Sequence, residues 1–69
     1  MSEITEQVGK LIKEARVKAG LTQKELGEKL GVGEPTVNKY EGGKQNLTAE
    51  TMKKVATALG MQIKITFYK

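Results

Sequence analysis

Glycine punctuation sets what this chain can become. Gly20, Gly31, Gly42-Gly43 and Gly60 each follow a stretch whose apolar residues recur at helical spacing. The position just after a helix favours a left-handed residue without Cβ. The pattern therefore predicts four short helices. The first runs from about Ile4 to Ala19, with Ile4, Val8, Leu11, Ile12, Ala15 and Ala19 as one apolar stripe and Lys10, Lys13, Glu14 and Lys18 on the remaining, solvated face. Gly9 lies inside it at a propensity cost of about 1 kcal/mol relative to alanine, which close packing against another helix would explain. The second opens on Thr22 with Glu25 three positions later, a capping box, then buries Leu26 and Leu30 and stops at Gly31. The third follows Gly33, carries Pro35 in its first turn where a missing N–H costs nothing, turns Val37 and Tyr40 inward, and ends at Glu41-Gly42. The fourth starts at Thr48 with acidic Glu50 in its first turn, places Met52, Val55, Ala56 and Leu59 on one face, and closes at Gly60.

Beyond Gly60 the period changes to two: Met61, Ile63, Ile65 and Phe67 alternate with Gln62, Lys64, Thr66 and Tyr68. This predicts a strand over 61–68, and nothing else in the chain reads as its partner. A lone strand leaves backbone N–H and C=O groups open, so the partner is expected to be a second copy of the chain. The expected fold is thus mainly α: a single domain over residues 1–69, with a helical core at 4–60 and a dimerisation strand carrying Met61, Ile63, Lys64, Ile65 and Phe67. Of these, Ile63, Ile65 and Phe67 are expected to cover the helical core. A chain of 69 residues without cysteine or histidine has neither a disulfide nor an ordinary zinc site to stabilise it. Oligomerisation is the remaining means.

Composition narrows the function classes. Twelve Lys and Arg against eight acids, all of them glutamate, give a net charge of +4, which suits an anionic partner. Without His or Cys, and with Ser2 near the N-terminus as its one serine, the chain lacks the commonest catalytic base and nucleophile. No catalytic residue, metal or cofactor is expected, and the chain is not read as an enzyme. The start, Met1-Ser2-Glu3-Ile4-Thr5-Glu6, is acidic where a secretory signal would be basic, and no apolar run approaches a membrane span. The expectation is a cytoplasmic protein with no membrane partner, in which Asn46-Leu47-Thr48 is a chance match to the glycosylation pattern.

Two short helices joined by Gly31-Val32-Gly33 read as a helix-turn-helix, whose second helix, Glu34 to Tyr40, would enter the DNA major groove. The run from Gly20 to Lys44, GLTQKELGEKLGVGEPTVNKYEGGK, resembles the lambdoid-repressor or Xre-like helix-turn-helix family. The likeness rests on L-T-Q opening the second helix, G-V ending it, P-T-V in the third and Y-E-G-G-K after it. With Arg16 upstream and Thr48-Ala49-Glu50-Thr51 and Ala58-Leu59-Gly60 downstream, it covers about Leu11 to Gly60. It implies a four-helix lambda-repressor-like domain that binds double-stranded DNA through Thr22, Gln23, Gly33, Glu34, Pro35, Thr36, Asn38, Lys39, Gly43 and Lys44.

The chemistry of these positions can be argued beside the resemblance. Gln23, in a helix first turn, can meet a phosphate with its amide and the open backbone N–H groups. Lys39 can donate to guanine O6 and N7, Asn38 can pair with an adenine edge, and Pro35 can touch a thymine methyl. Glu34 either accepts from cytosine N4 or simply suits the positive end of its helix. Lys44, behind the Gly42-Gly43 amides, reads as part of a backbone-clamping loop. Arg16 and Glu41 match a family pair that bridges the first and third helices; by sequence alone each could also be a free surface charge. The C-terminal L-G-M-x-I-x-I pattern resembles the tails of helix-turn-helix antitoxins, which brings in a toxin as a further partner. The alternative is a stand-alone autoregulatory or restriction-modification controller, and a protein-interaction module without DNA accounts for the strand only.

Overall fold

A computed structural model describes residues 3–69 of the chain. Its helices are α1 (Glu3–Lys18), α2 (Gln23–Leu30), α3 (Glu34–Glu41) and α4 (Ala49–Ala58), each within about a residue of the bounds read from the sequence. The caps follow local chemistry. Thr22 Oγ1 accepts from Glu25 N–H at 3.0 Å while Glu25 Oε1 accepts from Thr22 N–H at 2.8 Å, so the capping box is complete. Hydrogen bonds from the Thr22 N–H, and next from the Thr22 hydroxyl, hold the Glu25 carboxyl below its usual pKa. Gly31 ends α2 in the left-handed region, and Gly33 caps α3 through its backbone alone, with Pro35 in the first turn. Thr48 Oγ1 caps α4 by accepting from Thr51 N–H at 3.1 Å.

α3 packs on both α2 and α1, and α4 packs on α2. Leu26 of α2 and Val37 of α3 are fully buried at the centre, with Ile12, Tyr40, Val55 and Leu59 around them. Burying side chains of this size contributes about 1.5–3 kcal/mol each.

The inward face of α1 differs from the apolar stripe. Thr5, Gly9 and Ile12 are the buried positions, whereas Ile4 and Leu11 are 64% and 56% exposed and Ala19 faces solvent. The cause is a close helix approach. A Cβ built on Gly9 would stand 2.7 Å from the carbonyl oxygens of both Tyr40 and Glu41, so α1 meets the end of α3 along the one position that has no side chain. That contact turns the helix so that Thr5 also faces inward, where its hydroxyl donates to Asn46 Oδ1 at 2.9 Å.

The same rotation brings Arg16 to Glu41. Arg16 Nε donates to Glu41 Oε2 at 2.5 Å and Nη2 donates to Oε1 at 3.1 Å, with the two side chains only 11% and 4% exposed. Arg16 Nη1 also donates to the Leu21 carbonyl at 2.7 Å. One guanidinium thereby joins α1, the α1–α2 turn and the last residue of α3. The Glu41 hydrogen bond raises the Arg16 pKa further above its already basic value.

Residues 61–69 differ from the expected strand. No β-ladder forms among the described residues. Met61 N–H donates to Ala56 O at 2.8 Å and its side chain packs against the core. Ile63, Ile65 and Phe67 are 40%, 60% and 96% exposed rather than folded over the helices. A strand exists through its hydrogen-bonded neighbour, and one copy of this chain offers none. No described helix is long and apolar enough to cross a membrane.

Two stability changes are expected. Gly9→Ala should lower stability by about 1–3 kcal/mol through overpacking, although alanine is the better helix former; urea denaturation showing a more stable variant would remove the close approach from the account. Glu41→Ala leaves a buried guanidinium without its carboxylate and should destabilise by about 3 kcal/mol or more. Replacing Arg16 and Glu41 together by apolar residues should do less harm than Glu41→Ala alone, as read from thermal melts.

Candidate nucleic-acid interface

The α2–α3 turn, 31–33, sets the start of α2 beside the outer face of α3. Val37 and Tyr40 point into the core, so Glu34, Pro35, Asn38 and Lys39 are left exposed on the opposite side of α3. Asn38 Nδ2 donates to Gln23 Oε1 at 3.4 Å, and Gln23 Nε2 donates to Glu41 Oε1 at 3.0 Å. Gln23 and Asn38 therefore lie in one continuous surface. At its edge stands Thr22, exposed, its oxygen used as the α2 cap. The first N–H groups of α2 and α3, those of Gln23, Lys24 and Glu34, lie at the helix ends where anions are favoured. Gly33 is exposed, and its carbonyl accepts from Thr36 and Val37 N–H at 3.1 and 3.3 Å; Thr36 itself is half-buried.

The loop after α3 is built otherwise than as an amide clamp. Gly42, Gly43 and Lys44 N–H donate to the carbonyls of Asn38, Tyr40 and Lys39 at 2.9, 3.3 and 3.1 Å, which completes the C-terminus of α3. Gly43 is buried with φ +68°, and a Cβ there would stand 2.9 Å from Glu6 Cα. Its glycine answers to backbone conformation and to the passage of α1. The groups left on the outside are the side chains of Lys44 and Gln45; Asn46 is tied to Thr5.

Gln23, read from the sequence as able to meet a phosphate with its amide, also makes contacts within the protein. Both ends of that amide are engaged within the protein, one by a carboxylate and one by another amide. The part of Glu41 in holding Gln23 is a contact that sequence reasoning missed. The residues are 18 apart, and no local pattern connects the start of one helix to the end of the next. Among the described residues no group of three His, Cys, Asp or Glu could hold a metal. The surface thus presents amides, a threonine hydroxyl, two lysines and one carboxylate around an exposed helix, which is suited to binding and carries no assembled nucleophile or base.

Comparison with known proteins agrees with this arrangement. A helix-turn-helix family model matches residues 12–65. The HTH-type transcriptional regulator ImmR of Bacillus subtilis is 43% identical over 49 residues, which cover 71% of this chain and 39% of ImmR. The chain spans about two fifths of the length of the curated relatives it matches. The crystal structure of the clp gene regulator ClgR from C. glutamicum superposes with a TM-score of 0.85 at 26% identity, covering 90% of this chain and 80% of that one. The restriction-modification controller protein C.AhdI from Aeromonas hydrophila superposes with a TM-score of 0.79 at 29% identity, covering 84% of each chain. By this match and its geometry the chain belongs to the helix-turn-helix family, in its Xre-like, lambda-repressor-like group.

Proposed function

We propose that the protein is a sequence-specific repressor that lays α3 in the major groove and binds as a homodimer to an inverted repeat. The observation that carries the reading is the exposed surface in which Asn38 on α3 adjoins Gln23 at the start of α2. A helix about 12 Å long fits the groove end-on, with a neighbouring helix start free to meet the backbone. Asn38, Lys39 and Pro35 are the base-reading residues, for adenine, guanine and a thymine methyl respectively. Lys44, Thr22 and the open amides at the starts of α2 and α3, with Gly33 and the Thr36 side chain beside them, are the phosphate contacts. Glu34 at the start of α3 takes cytosine N4 or serves the helix end alone.

Dimerisation falls to residues 61–68. Ile63, Ile65 and Phe67 remain 40%, 60% and 96% exposed, and antiparallel pairing with a second copy would satisfy their backbone and bury their side chains further. The whole of 1–69 acts in this reading as one unit, helical core and dimer strand together. Two-fold symmetry then sets two α3 helices in successive major grooves about 34–36 Å apart. A restriction-modification controller is the second reading, favoured by the likeness to C.AhdI. A toxin partner belongs to the antitoxin form of the proposal, and an adjacent toxin-like reading frame whose product co-purifies with this protein would support it.

Affinity for a selected duplex should fall steeply with salt, because it draws on several phosphate contacts. Titration at two ionic strengths checks this, and salt-independent affinity or no duplex binding at low salt would favour an interaction module instead. Lys39→Ala should cost about 1–3 kcal/mol on the best site and relax preference at one or two positions, whereas Lys44→Ala should weaken all duplexes alike. Removing residues 62–69 should convert a dimer into a less stable monomer. Sedimentation that finds the full and shortened chains in the same state would exclude the tail as the interface.

A further inference from the structure

Donor and acceptor polarity is passed through four side chains, from α1 to the exposed face of α3. Glu41, ionised beside Arg16, has only acceptor oxygens. Its Oε1 accepts from Arg16 Nη2 at 3.1 Å and from Gln23 Nε2 at 3.0 Å. With its NH2 group turned to the carboxylate, Gln23 offers only Oε1 at its other end, and Asn38 meets it with Nδ2 at 3.4 Å. A half-turn of the Gln23 amide would set two acceptors against each other at Glu41. A half-turn of the Asn38 amide would do the same at Gln23. The orientation of an exposed amide, usually free to exchange its two ends, is here dictated by a buried carboxylate.

We infer that Arg16, Glu41 and Gln23 are positioning residues for Asn38, holding its amide in one orientation so that it selects adenine over guanine at the base pair it reads. The inference rests on the reading of α3 as the base-contacting helix. With one N–H directed to Gln23, Asn38 keeps a second N–H and Oδ1 as an adjacent donor and acceptor. That pair complements adenine N7 and N6–H2. Guanine presents two acceptors, N7 and O6, at the same edge. A locked Oδ1 opposes O6, whereas an amide free to turn and swing can aim its NH2 group at O6 and carry Oδ1 off the base edge. The loss of Gln23 should therefore erode discrimination at one position, an effect distinct from the uniform weakening expected of a phosphate contact.

The test is selection from a randomised duplex library with the full chain as wild type, Asn38→Ala and Gln23→Ala. Titration of the best wild-type duplex and its single adenine-to-guanine changes follows. Asn38→Ala should reveal the base pair involved by losing its adenine preference. Gln23→Ala should lose about fivefold or more of the adenine-over-guanine ratio at that same pair, keep its preferences elsewhere, and melt within a few degrees of wild type. The double variant should lose no more selectivity there than Asn38→Ala. Weaker binding by Gln23→Ala with the ratio intact would overturn the inference while leaving DNA binding in place; a wild-type chain that selects no duplex would remove the underlying reading as well. Without DNA, the Asn38 side-chain amide protons should show NMR signals that shift and exchange faster in Gln23→Ala, and unchanged signals would also overturn it. Should Gln23→Ala fail to fold, Gln23→Met, which keeps the apolar stem, carries the same expectations.

Discussion

The nearly buried bridge between Arg16 and Glu41 is the constraint on which the arrangement of helices depends. An ion pair taken out of water is favourable only when its geometry is good and its remaining donors and acceptors are used. Here they are: the guanidinium reaches both carboxylate oxygens and the Leu21 carbonyl, and the carboxylate also accepts from Gln23. Each of these groups belongs to a different piece of the fold. Satisfying them together sets α1, the start of α2 and the end of α3 in one relative position. A small apolar core is not directional enough to do this, since Leu26, Val37 and their neighbours would tolerate helices sliding by a fraction of a turn.

Close backbone approach makes the bridge possible. The Arg16 side chain can reach Glu41 because α1 passes the C-terminus of α3 at Gly9, and passes the following loop at Gly43, with no Cβ between them. The same passage leaves Ile4 and Leu11 outside. Ile63, Ile65 and Phe67 are likewise left exposed, so apolar side chains stand uncovered at both α1 and the C-terminal segment.

The outer surface divides the work by chemistry. The two helix starts have open N–H groups and carry the positive end of the helix dipole, which suits phosphate whatever the sequence. The middle of α3 carries side chains whose donor and acceptor order can differ from base to base. The glycines after α3 belong to neither group: their amides close the helix, and only Lys44 and Gln45 extend from that loop.

Much of this was legible in the sequence because it is local. The capping box of Thr22 and Glu25, the Thr48 cap, the glycines that end helices and the inward pair Val37 and Tyr40 each depend on residues within about one helical turn of each other. The resemblance added the pairing of Arg16 with Glu41. What the sequence could not supply was the face that α1 turns inward, the part of α3 that Gly9 meets, and the contact of Gln23 with Glu41 and Asn38. Those join positions 15 to 41 residues apart, as in Asn38 to Gln23 and Thr5 to Asn46. They follow only once the helices have a fixed placement, and a stripe of apolar residues specifies a helix without specifying which edge of the stripe its neighbour will touch. The sequence by itself therefore determined where each helix starts and stops and which side of α3 faces out, while the tertiary structure alone decided how α1 is rotated and which side chains hold one another, because backbone clearance and buried charge act between elements and leave no periodic trace.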